Sequence, residues 1–322
     1  MLRFLIRRIA LGIIVMILVT MLVFAIFFTG SGPQDVASHL AGKNGSPETI
    51  SLIIKRLHLK DPLVVQYWNF LKRLVWHHNL GYSYYHSQPV STILKEAFPI
   101  TLSLALGAAV IWLVIGVLTG VISAVRRGSI IDRAFTTIAL FFYSLPTFVL
   151  GLLMLFIFYY QLTTHGIHLF PGQGYVPLTQ DPVKWFEALV LPWLTLALVS
   201  AATYTRLTRG SLLEVMGEDY IRTARAKGLS ERRVIFRHGL RSALTPVASQ
   251  FGIDVGTLLG GAIITENVFG MPGLGFTAVG AIANGDLPVI AGIVIIATAA
   301  VIVANILVDI FYAVLDPRVR LH

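Results

Sequence analysis

The 322-residue chain contains no cysteine. That excludes a disulfide framework and any thiolate metal site. Charge is scarce too: Asp, Glu, Lys and Arg make up 13% of the residues against 56% hydrophobic, and the mean hydropathy is +0.77. A soluble chain of this length needs far more polar surface, so the bilayer must be the solvent for much of this one. Acids are scarcer than bases, 16 against 25, which leaves a formal charge of +9. That balance would suit nucleic acid, but a membrane protein reaches it simply by gathering Lys and Arg on its cytoplasmic side, so no nucleic-acid partner is expected. Internal repeats and low-complexity tracts are absent. So is a phosphate-binding Gly-x-x-x-x-Gly-Lys-Ser/Thr loop: the sole Gly-Lys pair, Gly42-Lys43, is followed by Asn44 and lacks a glycine five residues earlier. The spans hold neither a His-Glu-x-x-His stretch nor a plausible Ser–His pair, which argues against an intramembrane hydrolase.

What the chain does have is long apolar runs. Six are long enough to cross a bilayer, at about 9–28, 100–123, 134–161, 188–205, 243–265 and 288–313. The first follows a basic start, Met1 to Arg8. Its length and the poor cleavage site at Phe27-Phe28-Thr29-Gly30 predict a retained helix and not a signal peptide. With the N-terminus inside, 17 of the 25 Lys and Arg fall on the cytoplasmic side, and most of the rest lie in one long outer loop that votes weakly on orientation. The expected fold is an all-α membrane protein with six transmembrane helices and both termini cytoplasmic. It divides into the N-terminal segment and first helix at 1–28, an extracytoplasmic loop region at 29–99, and a core of the remaining five helices at 100–322. Pro146 in the third span and Pro192 in the fourth are expected to bend those helices or free carbonyls inside the protein.

The outer region is too long for a simple connection. Ser46-Pro47-Glu48 has the order of a helix start, and Ile50, Ile53, Ile54 and Leu57 then recur at helical spacing. Trp68, Trp76, Tyr82, Tyr84 and Tyr85 suit an interfacial belt. An ordered cap is predicted, since the apolar content is too low for an independent core.

The inner segment between spans four and five, about Arg206 to Arg241, holds nine cations. Glu218 and Asp219 open a helix, Arg222, Arg225 and Lys227 gather towards its end, and Gly228 stops it. Ser230 is placed to cap a second helix through Val234, Ile235, Phe236 and Leu240. Two short helices would thus form an elbow at Gly228. Thr223, Ala224 and Ala226 are small enough to let another protein come close, with arginines fixing the orientation by charge. A topology-setting basic loop would explain the arginines, but not the short-side-chain helix that ends in glycine.

The stretch Glu218-Asp219-Tyr220-Ile221-Arg222-Thr223-Ala224-Arg225-Ala226-Lys227-Gly228-Leu229 resembles the coupling loop, or EAA loop, of bacterial ABC importer permeases, in particular the membrane subunits of dipeptide and oligopeptide importers. Glu266-Asn267-Val268-Phe269-Gly270-Met271-Pro272-Gly273-Leu274-Gly275 resembles the family's stretch after span five, and Val308 to Arg318 its C-terminal signature. The basic start and Pro99-Ile100-Thr101-Leu102 fit as well, so the match runs nearly end to end. The resemblance implies a non-catalytic subunit of the bacterial inner membrane that forms half of a translocation pathway by alternating access. Its coupling residues would be Glu218, Tyr220, Arg222, Thr223, Ala224, Arg225, Ala226, Lys227 and Gly228. Its partners would be a second permease, one or two ATPase subunits that hold ATP and Mg, an extracytoplasmic substrate-binding lipoprotein, and membrane lipid. No cofactor is expected in this chain. Two departures remove negative charge on the outer side: His78-Asn79-Leu80-Gly81 in place of Gly-Asp-Leu-Gly, and Leu57-His58-Leu59-Lys60 in place of Leu-Gly-Leu-Asp. They leave dipeptides, longer peptides and nickel chelates open as substrates.

Acids within or at the ends of spans need a partner or water. Glu266, ahead of the Gly270–Gly273 turn, either lines the pathway, where it would meet a peptide ammonium, or braces that turn. Asn267 beside it and Asp254 are further pathway candidates, Asp254 with a possible bond to the second permease. Asp309 is expected to pair with Arg318 or Arg320. Gly252, Gly256, Gly260 and Gly261 have small-residue spacing for close helix contact, either with the second permease or within the chain. His77-His78 and His165/His168 come without cysteine or a carboxylate cluster and read as surface histidines, not metal ligands. A secondary transporter with Asp254 and Glu266 as ion sites is the rival from another class; the absence of an inverted repeat and of paired broken helices speaks against it.

Overall fold

In a computed structural model, the residues described are 2–28, 32–42 and 45–315. The tail from Asp316 on, with Arg318 and Arg320, the pair Lys43-Asn44, and the side chain of Asp309 lie outside the described residues.

The chain is mostly helical. Helix α1 (Leu2–Phe28) is followed by α2 (Pro33–Ala41), α3 (Pro47–Leu57), α4 (Leu63–Trp76) and a two-stranded hairpin, β1 (Tyr82–Ser83) and β2 (Gln88–Pro89). Then come α5 (Val90–Val125), α6 (Ile130–Ser144), α7 (Thr147–Met154), a π-helical stretch Leu155–Gln161, α8 (Leu162–Thr164) and α9 (Pro182–Val215). After α10 (Asp219–Ala226), α11 (Glu231–Arg233) and a π-helical turn Val234–Gly239 lead into α12 (Leu240–Leu259). The chain closes with α13 (Ile263–Val268), α14 (Leu274–Asn284) and α15 (Leu287–Leu315).

Five described helical segments are long and apolar enough to cross a membrane: Ile6–Phe27, Val90–Val125, Thr147–Thr164, Pro182–Val215 and Leu287–Val308. Two expected spans depart from plan. The stretch 134–161 is broken, because Pro146 pushes Leu145 into extended backbone (φ −83°, ψ 127°) and α7 begins afresh after it. The stretch 243–265 ends early at Gly260–Gly261. Gly261 sits at φ +120° with Gly275 backbone 3.2 Å from where a Cβ would lie, so the chain turns there into α13. Its helical part, α12, carries too many polar residues to be among the five. Pro192, by contrast, lies inside an unbroken α9.

The main packing axis is α5 against α9. Gly107, Gly116 and Gly120 of α5 face Trp193, Tyr204 and Thr208 so closely that no Cβ would fit without movement. Trp193 Nε1 donates to Ser103 O at 3.0 Å, and the Thr119 and Thr205 hydroxyls bond at 2.7 Å. The glycine run of α12 packs within the chain: a Cβ on Gly252 would meet Val308, and one on Gly256 would meet Val301 and Asn305, all on α15. Gly252 and Gly256 pack on α15, whereas Gly260 and Gly261 lie against Thr257 O and Gly275.

At one end of the spans the cap is ordered as expected. The Ser46 hydroxyl accepts from Thr49 N at 3.2 Å, and Ile53 is fully buried with Val36, Ala37, Leu40 and Leu59. Val23 and Phe24 of α1, Phe70 of α4, and Ala291 and Ile295 of α15 form one cluster that seats the cap on the spans. Ser83 and His86 of the hairpin bond Asp286 just before α15, the serine donating at 2.5 Å. The elbow lies at the opposite end.

Candidate functional site: elbow, buried turn and polar helix

The elbow begins at Glu218 (φ −68°, ψ 150°), whose carbonyl accepts from Ile221 N and Arg222 N. Asp219 then sits in the first turn of α10 and Arg225 in the last, each matched to the helix dipole. Gly228 takes φ +75°, the left-handed conformation that ends a helix cheaply only at glycine. Its N–H donates to Arg225 O at 2.9 Å. Arg225 Nε donates across the bend to Glu231 Oε1 at 2.7 Å, and Tyr220 OH donates to Ser242 Oγ at 3.1 Å. Those two bonds tie α10 to α11 and to α12.

Beneath them, Ile221, Ala224 and Val234 are buried against Val215, Met216 and Leu229. The α10 face opposite this cluster is open: Asp219, Arg222, Thr223, Ala226 and Lys227 are exposed. This revises one sequence expectation. Ala224 was grouped with Thr223 and Ala226 as contact surface, yet it points inward and packs the bend. The i, i+3 spacing of Ile221 and Ala224 carried that signal.

At the cap end, Glu266 is fully buried. Thr101 of α5 donates its hydroxyl to Glu266 Oε1 at 2.7 Å, and Phe276 N of α14 donates to Oε2 at 2.9 Å. Thr101 Oγ1 in turn accepts from Leu274 N at 2.8 Å. Gly273 lies against the carboxylate so tightly that a Cβ there would collide with it. The geometry matches the bracing role: Glu266 clasps the Gly270–Gly273 turn and is fully buried in this conformation. Asn267 is exposed and donates to Ile263 O. Asp254, half-buried on α12, accepts from Tyr204 OH and Gln250 Nε2, both at 2.8 Å. Its bonds are therefore made within the chain. The three pathway candidates are not brought together.

Sequence reasoning missed a third polar centre. Arg209 of α9 donates through Nε and Nη2 to both oxygens of Asp132, at 2.8 and 2.9 Å. Ser123 of α5 and Gly128 N donate to the same carboxylate. The Arg209 guanidinium and then the Ser123 hydroxyl hold the Asp132 carboxyl well below the usual carboxylate range. A sequence signal existed on one side only: Ser129, whose hydroxyl caps α6 by accepting from Asp132 N. Among the described residues no group of three or more His, Asp or Glu is placed to hold a metal ion.

Apolar helices of spanning length, a helical cap on one side and a two-helix elbow on the other describe a multi-pass membrane protein. The chain belongs to the family described as binding-protein-dependent transport system inner membrane component: that family's model matches residues 116–321, and the model of its N-terminal part matches residues 1–105. It is 40% identical over 314 residues to a putative peptide transport system permease protein of Brucella abortus, covering 98% of each chain. It is 38% identical over 344 residues to the dipeptide transport system permease protein DppB of Escherichia coli K12, covering 99% of each. Among solved structures, the inward-facing MetNI methionine ABC transporter shares the fold with a TM-score of 0.54 at 21% identity, over 70% of this chain and 97% of that one.

Proposed function

We propose that this chain is the permease subunit of an ATP-driven importer for di- or oligopeptides, forming half of the pathway beside a second, homologous permease. The observation that carries the reading is the elbow. Its inner face is locked by Ile221, Ala224 and Val234, and its outer face offers small and charged side chains that the described residues leave exposed. Such a knuckle can fit a groove in a separate ATPase and move as a body when ATP and Mg close one or two such subunits. The elbow is then cytoplasmic, as are both termini, and α12 counts as the sixth crossing. The cap end faces an extracytoplasmic binding lipoprotein. The peptide assignment follows the names of the relatives. This chain contributes no catalytic group.

The polarity of α12 supports a pathway beside it. Exposed positions on α5, such as Leu106, Val110, Val114 and Leu118, are aliphatic and suit lipid. On α12 the exposed positions include Ser249 and Thr257, flanked by half-buried Gln250 and Asp254. Amide and acid groups at membrane depth belong beside water or another protein. Asp254 is thus the carboxylate best placed to meet a peptide ammonium, with Asn267 further towards the cap.

The absence of native cysteine makes the test clean. With Thr223→Cys or Ala226→Cys as the sole thiol, a short bifunctional cross-linker should join this chain to the ATPase subunit in membranes. No adduct at either position, with transport intact, would overturn the docking reading.

A further inference from the structure

A cavity of about 190 Å³ lies where the cap meets α15, bounded by α3, α4, the hairpin and the end of α1. Its floor is apolar, formed by Phe70, Ala291 and Ile295. Its upper wall carries Arg56, Arg73, Asn79 and Tyr84. Two arginines stand on one wall, Arg73 half-buried and Arg56 exposed, and among the described residues no acidic side chain lines the cavity. Neither guanidinium has a hydrogen-bond or ion-pair partner among the described residues. Burial and then the Arg56 charge push the Arg73 guanidinium down from its ordinary value, while burial pushes the Tyr84 phenol up against the opposing pull of Arg56. The two guanidinium groups are thus close enough for one to act on the other, with no anion between them among the described residues.

A guanidinium fork matches phosphate or carboxylate oxygens by paired hydrogen bonds. The floor decides between a free anion and an amphiphile. It is part of the cluster joining α1, α4 and α15, and that cluster runs on into the exposed apolar surface of α1, where Ile26 is 60% exposed. Trp68 and Trp76, on the same α4, are exposed as aromatic residues at a headgroup level are. A small soluble anion would leave that floor empty.

We propose that this cavity is a binding site for an anionic phospholipid of the leaflet beside the cap. The phosphate sits between Arg56 and Arg73, and the upper part of an acyl chain covers Phe70 and Ile295. The bound lipid supplies a counter-charge that the described residues do not, and cements the cap to α1 and α15. The site holds whether or not the transported substrate is a peptide.

The test uses the whole complex, purified and stripped of lipid, then titrated separately with phosphatidylglycerol, phosphatidylcholine and inorganic phosphate. Native mass spectrometry and the thermal unfolding midpoint are the readouts. Phosphatidylglycerol should be retained at one molecule per chain and raise the midpoint; phosphatidylcholine should do so weakly, and inorganic phosphate not at all. Arg56→Gln with Arg73→Gln should weaken retention by about tenfold per arginine. Asn79→Asp should weaken it too by placing a carboxylate in the wall, while keeping the oxygen that accepts from Gly81 N at 2.9 Å. This second variant decides the matter if the double one fails to fold. Equal retention of the two lipids, or unchanged retention in Asn79→Asp, overturns the proposal. Displacement by millimolar inorganic phosphate overturns the lipid assignment and leaves a soluble-anion site.

Discussion

The elbow and the Glu266 turn are both tight bends between helices, and they are built on opposite plans. The elbow hides three apolar side chains and turns its polar groups outward. Arg225 and Glu231 are both well exposed, so their ion pair adds little to stability. The Glu266 turn does the reverse and buries a carboxylate whose partners come from two other helices. A bend of the first kind can be gripped and displaced without stranding a polar group. A bend of the second kind has one low-energy arrangement, because every donor aimed at the carboxylate would otherwise be left unpaired. The difference separates a bend whose polar groups face outward from one that holds α5, α13 and α14 in register.

Removing the carboxylate should do the greatest damage. Glu266→Ala strands the Thr101 hydroxyl and the Phe276 N–H and opens a cavity, so a loss of roughly 2–5 kcal/mol is expected. Glu266→Gln should cost less, since one acceptor oxygen remains. Denaturation of the detergent-solubilised protein measures both. An alanine variant as stable as the parent would break the contrast at its stronger end.

The elbow should respond by face. Ala224→Leu overfills the pocket beneath the bend and should cost about 1–3 kcal/mol. Thr223→Leu, one residue away and exposed, should change stability by no more than about 0.5 kcal/mol while abolishing uptake. Equal stability of the two variants would mean that the inner face is not packed as described. Undiminished uptake by Thr223→Leu would remove the reason for assigning the outer face to a partner.

Much of this was legible in sequence where the signal is local. The Ser46 cap, the one-sided helix after it and the Gly228 stop each depend on neighbours within a turn or two, whereas Pro146 was expected only to bend a span that it in fact breaks. Length and hydropathy placed most of the long apolar helices, while α12, with its polar face, is not apolar enough to count among the five described spanning segments. What could not be read were pairings across the fold. Thr101 and Glu266 are 165 residues apart, and Asp132 and Arg209 are 77 apart. No periodicity brings such residues together. Arg209 counted only as one cation in a basic segment, and Arg56 and Arg73 as charges in a long outer loop. The burial of Ala224 was within reach, since it follows Ile221 by three, but its small size suggested an accessible surface instead.

The Asp132–Arg209 centre offers the finest cut, because it lies at the elbow end yet follows the plan of the Glu266 turn. The folded Asp132 carboxyl is held below its ordinary value of 3.8 by Arg209 and Ser123. The stabilising charge is therefore fully present above that value. It is lost as pH falls towards the lower folded value, because the unfolded chain takes up the proton first. The expected signature is a decline in stability that begins near pH 4 and steepens below it. In Asp132→Asn that limb should flatten, while stability at neutral pH falls because Arg209 loses its counter-charge. Both effects should be smaller than those at Glu266 or Ala224, since Arg209 is partly open to solvent and can rehydrate. If the acid limb kept its slope in Asp132→Asn, the carboxylate would not be the group that titrates. The ends of the molecule would then differ in kind: clasped at the cap, merely packed at the elbow.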